Sequence, residues 1–511
     1  MKTVGDLHEY NARYFGKSEA FVFEDRRLTH ASFLDRIRRL ADAFYAAGLR
    51  RGDRIAVLAL NCLEIYEIMG AAELAGFAAV PLNFRLAQAE IDYLLSDIQP
   101  AAVVCEADLM PLAATFRAQR PDLVWLRLRE GAQGDATQHF EDFLNSGASE
   151  GPPIRALPDD LCYLMYTSGT TGRPKGAMLV QHAVLAGAEI GASESEMVKG
   201  GTWLVHSPQF HIGGNGTRLS QQVRSGRVVL HRSFDPARAL RDIERERVTG
   251  TMTVGTMLQA VLDVADDYDL SSMQSWMVAG APASPELMRR AIAKLGKIFI
   301  IQYGMTEGRV SGLYRYEVDP DAGPDAVKHL RSVGRPAPQV DVEIRDEAGR
   351  VCPPNVPGEV VFRSPNVFAG YWNNSVATAE SLRDGWMHSG DVGYVDEDNF
   401  LYLVDRKKDM IISGGENIYS REVEDALHAH PDVIEAAVIG VQDEKWGEAV
   451  KAYVVLAAGA ALSAELVIEH TRTRIARYKC PKHVEFVEAL PRIANGKIDK
   501  VALRRREKER S

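Results

Sequence analysis

The chain has 511 residues, 46% of them hydrophobic and 25% charged, the composition of an ordinary globular protein long enough for two or three compact units. A formal net charge of −10 argues against a general nucleic-acid binder, which needs a basic face to neutralise phosphates, but leaves room for a local basic patch on a small anion. Five scattered cysteines without a CxxC pair give no disulfide framework or zinc site, and no run approaches the roughly 20 apolar residues of a membrane helix. The start, MKTVGDLHEY, has no signal-peptide core, so a cytoplasmic location is expected.

In chain order, Phe33, Ile37, Leu40 and Phe44 form the stripe of an amphipathic helix ending near Gly48. The runs IAVLAL, FAAVPL and AAVVCE alternate with helical segments from Leu63 to Leu74 and around Ile91 to Leu95. Short buried strands alternating with helices predict an α/β fold with parallel-type sheets covered on both faces, binding its ligand at the carboxyl ends of the strands. The last hundred or so residues read as a small α+β unit: REVEDALHAH as a helix, VIEAAVIGV and KAYVVLA as strands, a helix near Leu466 to Ala476, then HVEFVEAL. The charged run DRKKD at 405 to 409, followed by the paired glycines of ISGGEN, suits an exposed link. The expected division is a large domain over 1–405, a hinge at 406–409 and a small domain over 410–511.

The strongest local signal is YTSGTTGRPKG, from Tyr166 to Gly176. Glycines let backbone amides approach an anion, and the hydroxyls and Lys175 add donors and charge. The run lacks the Gly-Lys-Ser/Thr order of NTPase P-loops. PQFHIGG at 208 to 214, YGMTEG at 303 to 308, GRP at 334 to 336, GYW at 370 to 372, SGD at 389 to 391, GGENIYSREVE from Gly414 and PRIANGKIDK from Pro491 follow in order. Together with the first run and DRKKD, they resemble the adenylate-forming superfamily of acyl- and aryl-CoA synthetases, peptide-synthetase adenylation domains and luciferases over nearly the whole chain.

The resemblance implies that a carboxylate attacks the α-phosphate of ATP, and that CoA then displaces AMP from the acyl-adenylate. The products are acyl-CoA, AMP and diphosphate, with Mg²⁺ and positioned donors supporting the gathering charge. On that resemblance the phosphate loop is Thr167, Ser168, Gly169, Thr170, Thr171, Gly172 and Lys175. Gly280, Ala281, Pro282, Gln302, Tyr303, Gly304 and Met305 form the adenine and acyl floor. Thr306 and Glu307 serve phosphate and Mg²⁺, with Thr170 a second metal-side hydroxyl. Asp391 and Arg406 hold the ribose, and Lys497 is the catalytic cation. Lys408 is the hinge pivot, and Gly414, Gly415 and Glu416 line the path for the CoA thiol as the small domain alternates between half-reactions. Ile493 and Ser420 depart from residues common in the family, at positions that bear no inferred charge.

His211 corresponds to the gate beside the acyl pocket, followed by Ile212 and Gly213; Gly255 stands where the family usually carries Pro. The missing side chains at Gly213, Gly214, Gly216 and Gly255 leave volume, so a medium-chain, alicyclic or aryl acid is expected rather than acetate. PQFHIGG offers no acidic partner for an amino group, which disfavours an amino-acid-activating domain. Transfer to a carrier-protein thiol, or a non-catalytic acyl- and nucleotide-binding relative, remain the alternatives. The expected partner is a small carboxylic acid, with no nucleic acid and no membrane span; a homodimer is carried as an option.

Overall fold

A computed structural model describes residues 1–129, 137–167, 174–280, 285–319, 323, 328–406, 409–413, 416–443, 446–457, 459–492 and 498–510, with backbone alone for Arg406, Glu416 and Asn417. The stripe at Phe33, Ile37, Leu40 and Phe44 is the buried face of the helix His30–Ala46. Thr29 caps that helix, its hydroxyl accepting the Ser32 N–H at 3.1 Å, an arrangement worth about 1 kcal/mol.

Strands Val124–Leu128, Ala102–Glu106, Arg54–Leu58 and Ala78–Pro81 pair in parallel, and Leu161–Thr167 joins them in the same sense. Lys175–Val180 then pairs antiparallel with Leu161–Thr167, so the glycine-rich run connects the last two strands of this seven-stranded sheet. The sheet rests on an apolar layer that includes Leu58, Val80, Leu94, Val103 and Leu164.

A nine-stranded sheet has a parallel centre running through Glu19–Phe23, Arg227–Leu230, Thr202–Val205, Gly250–Thr253, Ser275–Ala279 and Phe299–Met305. Its edges, Arg26–Thr29 on one side and Gly308–Leu313 with Arg335–Pro336 on the other, are antiparallel. The α/β fold agrees with the expected alternation, and the antiparallel edges are what periodicity alone does not reveal.

Helix Leu63–Ala75 is buried almost all round, including Glu67 and Glu73. Glu73 is tolerated because it is paired. It accepts from Arg218 Nη2 at 2.5 Å, from the Tyr163 hydroxyl and from His8, while Arg218 Nη2 also donates to the Tyr163 hydroxyl at 2.9 Å. Burial pushes the Glu73 carboxyl up, but Arg218 and His8 outweigh it and hold the group at about 2.

Towards the C-terminus, Val433–Asp443 and Gly447–Leu456 form a long antiparallel pair, and His483–Phe486 adds in parallel. Helices Ser420–His428 and Ala464–Arg472 contribute Val423, Leu427 and Val467 to the core of this small α+β body. The chain forms two compact units: residues 1–341 with 362–387, and residues 342–361 with 388–511. Among the described residues no helix is long and apolar enough to cross a membrane.

Candidate active site

In the first unit, segments far apart in sequence converge around Glu307. Thr167 and Lys175 face each other where the two strands flanking the glycine-rich run meet, and the Thr167 hydroxyl donates to the Lys175 carbonyl at 3.4 Å. The strand Lys175–Val180 is then laced to the GYW segment. Met178 N–H donates to Gly370 O at 2.9 Å, Trp372 N–H to Gly176 O at 2.8 Å, and Ala177 pairs with Tyr371. Gly370 has φ +131° and a Cβ there would approach Thr378 Cγ2 within 2.7 Å, so glycine is required at this crossing.

The lacing presents Tyr371 to two charged groups. Its hydroxyl donates to Glu307 Oε1 at 2.6 Å, and Lys175 Nζ lies 5.2 Å from its ring centroid, within cation–π range. Burial, and then the Glu307 carboxylate, push the Tyr371 hydroxyl well above its usual range, so it stays a donor. Phe368 N–H donates to Glu307 O at 2.9 Å and fixes the backbone of the carboxylate as well. Sequence reasoning noticed GYW but gave Tyr371 no task; its motif was the signal.

The strand ends form a floor. Gly280 follows Ser275–Ala279 with φ +83°, and both Gly280 and Gly304 are exposed although they terminate or lie within strands. A Cβ on Gly304 would come within 3.1 Å of Arg309 Cα and Gly308 O on the paired strand, so the close strand contact favours glycine and leaves exposed backbone bare here. Tyr303 is buried and pairs with Ser311, Met305 pairs with Gly308, and Thr306 and Glu307 lie at the turn between these strands. Gln302 Nε2 donates to Ser195 Oγ at 3.1 Å, and its Oε1 accepts from Arg309 Nη1 at 3.2 Å.

His211 begins the helix Ile212–Val223 as its N-cap residue, its ring centroid 4.4 Å from that of Phe210. The glycines after it serve different ends. A Cβ on Gly213 would touch Met252 Cε at 3.0 Å, whereas one on Gly214 would meet Pro208 O at 2.7 Å and Ser207 O at 2.9 Å. Gly214 therefore permits close backbone packing rather than opening volume, a departure from the expectation that all these glycines widen the pocket. Gly255 opens the helix Gly255–Leu262.

In the second unit Asp391 is buried, its N–H donating to Ser389 Oγ at 3.0 Å, and it stands directly opposite Arg406 in the antiparallel ladder of Trp386–Val395 with Leu401–Arg406. Glu416 opens the short strand Glu416–Ile418. Ser168, Gly169, Thr170, Thr171, Gly172, Ala281, Pro282, Lys408, Gly414, Gly415 and Lys497 lie outside the described residues.

Exposed glycine backbone near the strand ends and a hydrogen-bonded carboxylate suit the class of adenylate-forming enzymes, which hold a phosphorylated ligand at such strand ends. Residues 8–372 match the family model of the AMP-binding enzymes, and residues 422–497 match that of the AMP-binding enzyme C-terminal domain. The chain is 40% identical to a feruloyl-CoA synthase from Amycolatopsis sp over 484 residues, 94% of each chain. It is 36% identical to an indoleacetate–CoA ligase from Aromatoleum aromaticum over 502 residues, 97% of each. The solved o-succinylbenzoate CoA synthetase from Bacillus subtilis, in complex with its acyl-adenylate intermediate, superposes with a TM-score of 0.85 at 31% identity, covering 98% of this chain and 97% of that one. The chain belongs to the AMP-binding enzyme family, and it is an AMP-forming acid–thiol ligase that uses ATP and CoA to make an acyl-CoA.

Proposed function

We propose that this acyl-CoA synthetase activates an aryl or aryl-substituted short-chain acid. The exposed glycine backbone of Gly280 and Gly304 near the strand ends carries this reading, because a flat ring can lie directly against backbone where no Cβ stands. Gly213 beside Met252 extends the apolar wall. Relatives whose names specify feruloyl, indoleacetate and succinylbenzoate groups support it. Acids of the cinnamate and benzoate type are expected to give the highest kcat/KM in an ATP- and CoA-dependent AMP-formation assay, octanoate less and acetate least. Higher values for acetate or propionate would overturn the assignment.

In the adenylation step the substrate carboxylate attacks the α-phosphate of ATP and expels diphosphate. The phosphate loop cradles the outgoing phosphates. Tyr371 holds Glu307 Oε1, which leaves Oε2 without a hydrogen-bond donor among the described residues and suited to a Mg²⁺ ion bound largely through phosphate oxygens and water. The ion would supply charge neutralisation at the phosphates. Asp391, opposite Arg406, accepts from the ribose hydroxyls.

Lys497 stabilises the charge developing on the transferred phosphate, and the small domain, pivoting at Lys408 within the 406–409 hinge, then brings Gly414, Gly415 and Glu416 to the incoming thiol of CoA. On this account Lys497→Ala abolishes acid-dependent pyrophosphate exchange by about 100-fold or more while pre-formed acyl-adenylate still reacts with CoA, the loss expected for a directly charge-stabilising group. A wild-type exchange rate in Lys497→Ala would sink the role. Detection of acyl-CoA by mass spectrometry separates CoA from a carrier-protein thiol as acceptor. The five cysteines, all free and four of them buried, support a reducing cytoplasmic setting.

A further inference from the structure

Arg309 follows Glu307 by two residues, yet adenylation gives it no task. It stands opposite Gly304 in the ladder between Phe299–Met305 and Gly308–Leu313, and its N–H donates to Asn366 Oδ1 at 2.7 Å. Its side chain reaches the facing helices Gln181–Glu194 and Ile212–Val223. A Cβ on Gly191 would come within 2.8 Å of the guanidinium carbon, and one on Gly216 within 2.8 Å of Nη2, so both helices carry glycine where the guanidinium lies.

A guanidinium has five N–H donors. Among the described residues, that of Arg309 makes one hydrogen bond, from Nη1 to Gln302 Oε1, leaving Nε and Nη2 without acceptors. The nearby carboxylate does not take them. Glu194 Oε1 accepts from the Tyr314 hydroxyl at 2.9 Å, and its buried Oε2 has no hydrogen-bond partner among the described residues. Arg309 keeps accessible surface. A guanidinium with unfilled donors and residual surface thus stands between Gly304, opposite it in the ladder, and Gly216, two positions read as acyl-pocket wall.

We propose that Arg309 is a specificity-determining residue of the acyl pocket, donating from Nε and Nη2 to an oxygen acceptor on the ring of the acid, remote from the carboxylate being activated. This rests on the aryl-acid reading and names its substituent class. Donors that water reaches in the free enzyme lose it when a bound ring covers them, so a substrate that lacks the acceptor leaves them unsatisfied and is disfavoured. Neutral and anionic oxygens share this chemistry, and matched cinnamates separate them.

The test is kcat/KM for acyl-CoA formation with 4-methyl-, 4-methoxy- and 4-carboxycinnamate, in the wild type, in Arg309→Met and in Gly216→Ala, whose added methyl presses on Nη2 while keeping the charge. The wild type is expected to favour the methoxy or the carboxy acid over the methyl acid by roughly tenfold to a hundredfold, the range of hydrogen bonds to a charged group. Arg309→Met is expected to bring that ratio to about one while retaining most of the methyl-acid activity, and Gly216→Ala to reduce it. A preference for the carboxy acid alone assigns an anionic acceptor; similar preference for both assigns a neutral oxygen as sufficient. A wild-type ratio near one, or an equal loss for all three acids in Arg309→Met with no change of ratio in Gly216→Ala, would overturn the assignment of Arg309 alone. Acyl-CoA from octanoate but from no cinnamate would overturn the aryl reading itself.

Discussion

Tyr371 joins the phosphate-loop strand to the carboxylate of Glu307 through one side chain. A hydrogen bond to a charged group is worth about 1.5–3 kcal/mol, so Tyr371→Phe is expected to lower kcat/KM for pyrophosphate release by about tenfold to a hundredfold. The thermal midpoint should change little, because the ring and its packing on Phe368 remain. Unchanged kinetics at limiting Mg²⁺ would show that Glu307 needs no such orientation. YTSGTTGRPKG and YGMTEG are legible in the sequence because each is a contiguous run with its own local chemistry. The partnership of Tyr371 with Glu307 spans 64 positions, and no local pattern encodes it.

At the scale of elements, motifs separate into those that hold ligand chemistry and those that hold strands. GRP belongs to the second kind. Gly334 has φ +85°, and a Cβ there would fall 1.8 Å from Gly312 O, on the backbone of the neighbouring strand. The short strand Arg335–Pro336 that follows pairs with Gly308–Leu313, and Arg335 pairs with Glu317. Gly334→Ala is therefore expected to destabilise the first unit by about 1–3 kcal/mol or more, read as a lowered unfolding midpoint in urea. An unaltered midpoint would show that the edge strand yields freely. Gly214 makes the same point for the helix Ile212–Val223, where a pocket glycine in sequence proves to be a packing glycine in space.

At the scale of the whole molecule, Glu73 gathers the helix Val4–Phe15 through His8, the seven-stranded sheet through Tyr163 and the helix Ile212–Val223 through Arg218. Truncation to Ala leaves Arg218 buried and uncompensated, a loss of about 3–5 kcal/mol, measurable by denaturant unfolding. Its folded pKa of about 2 lies below the ordinary carboxylate range. The stability it contributes is thus fully present above the unfolded value of about 4.3 and is lost as pH falls through that value towards the folded one. Wild-type stability should decline on acidification between about pH 5 and 2, and Glu73→Gln should flatten part of that decline. A variant with the same acid slope would remove Glu73 from the account. In the sequence, Glu73 is only an interruption of an apolar stretch, since its partners lie up to 145 positions away.

The sequence by itself determined the chemistry: ordered motifs, each rich in glycine, hydroxyl or charge, specify adenylation because phosphate binding needs those groups close together in the chain. It also determined the α/β class, through strands short enough and helices periodic enough to read locally. Only the tertiary structure decided which glycines make room and which make contact, which tyrosine serves Glu307, and that Arg309, among the described residues, carries unfilled donors beside Gly216 and Gly304. Those properties depend on atoms brought within a few ångströms by long-range packing, and spacing along the chain says nothing about them.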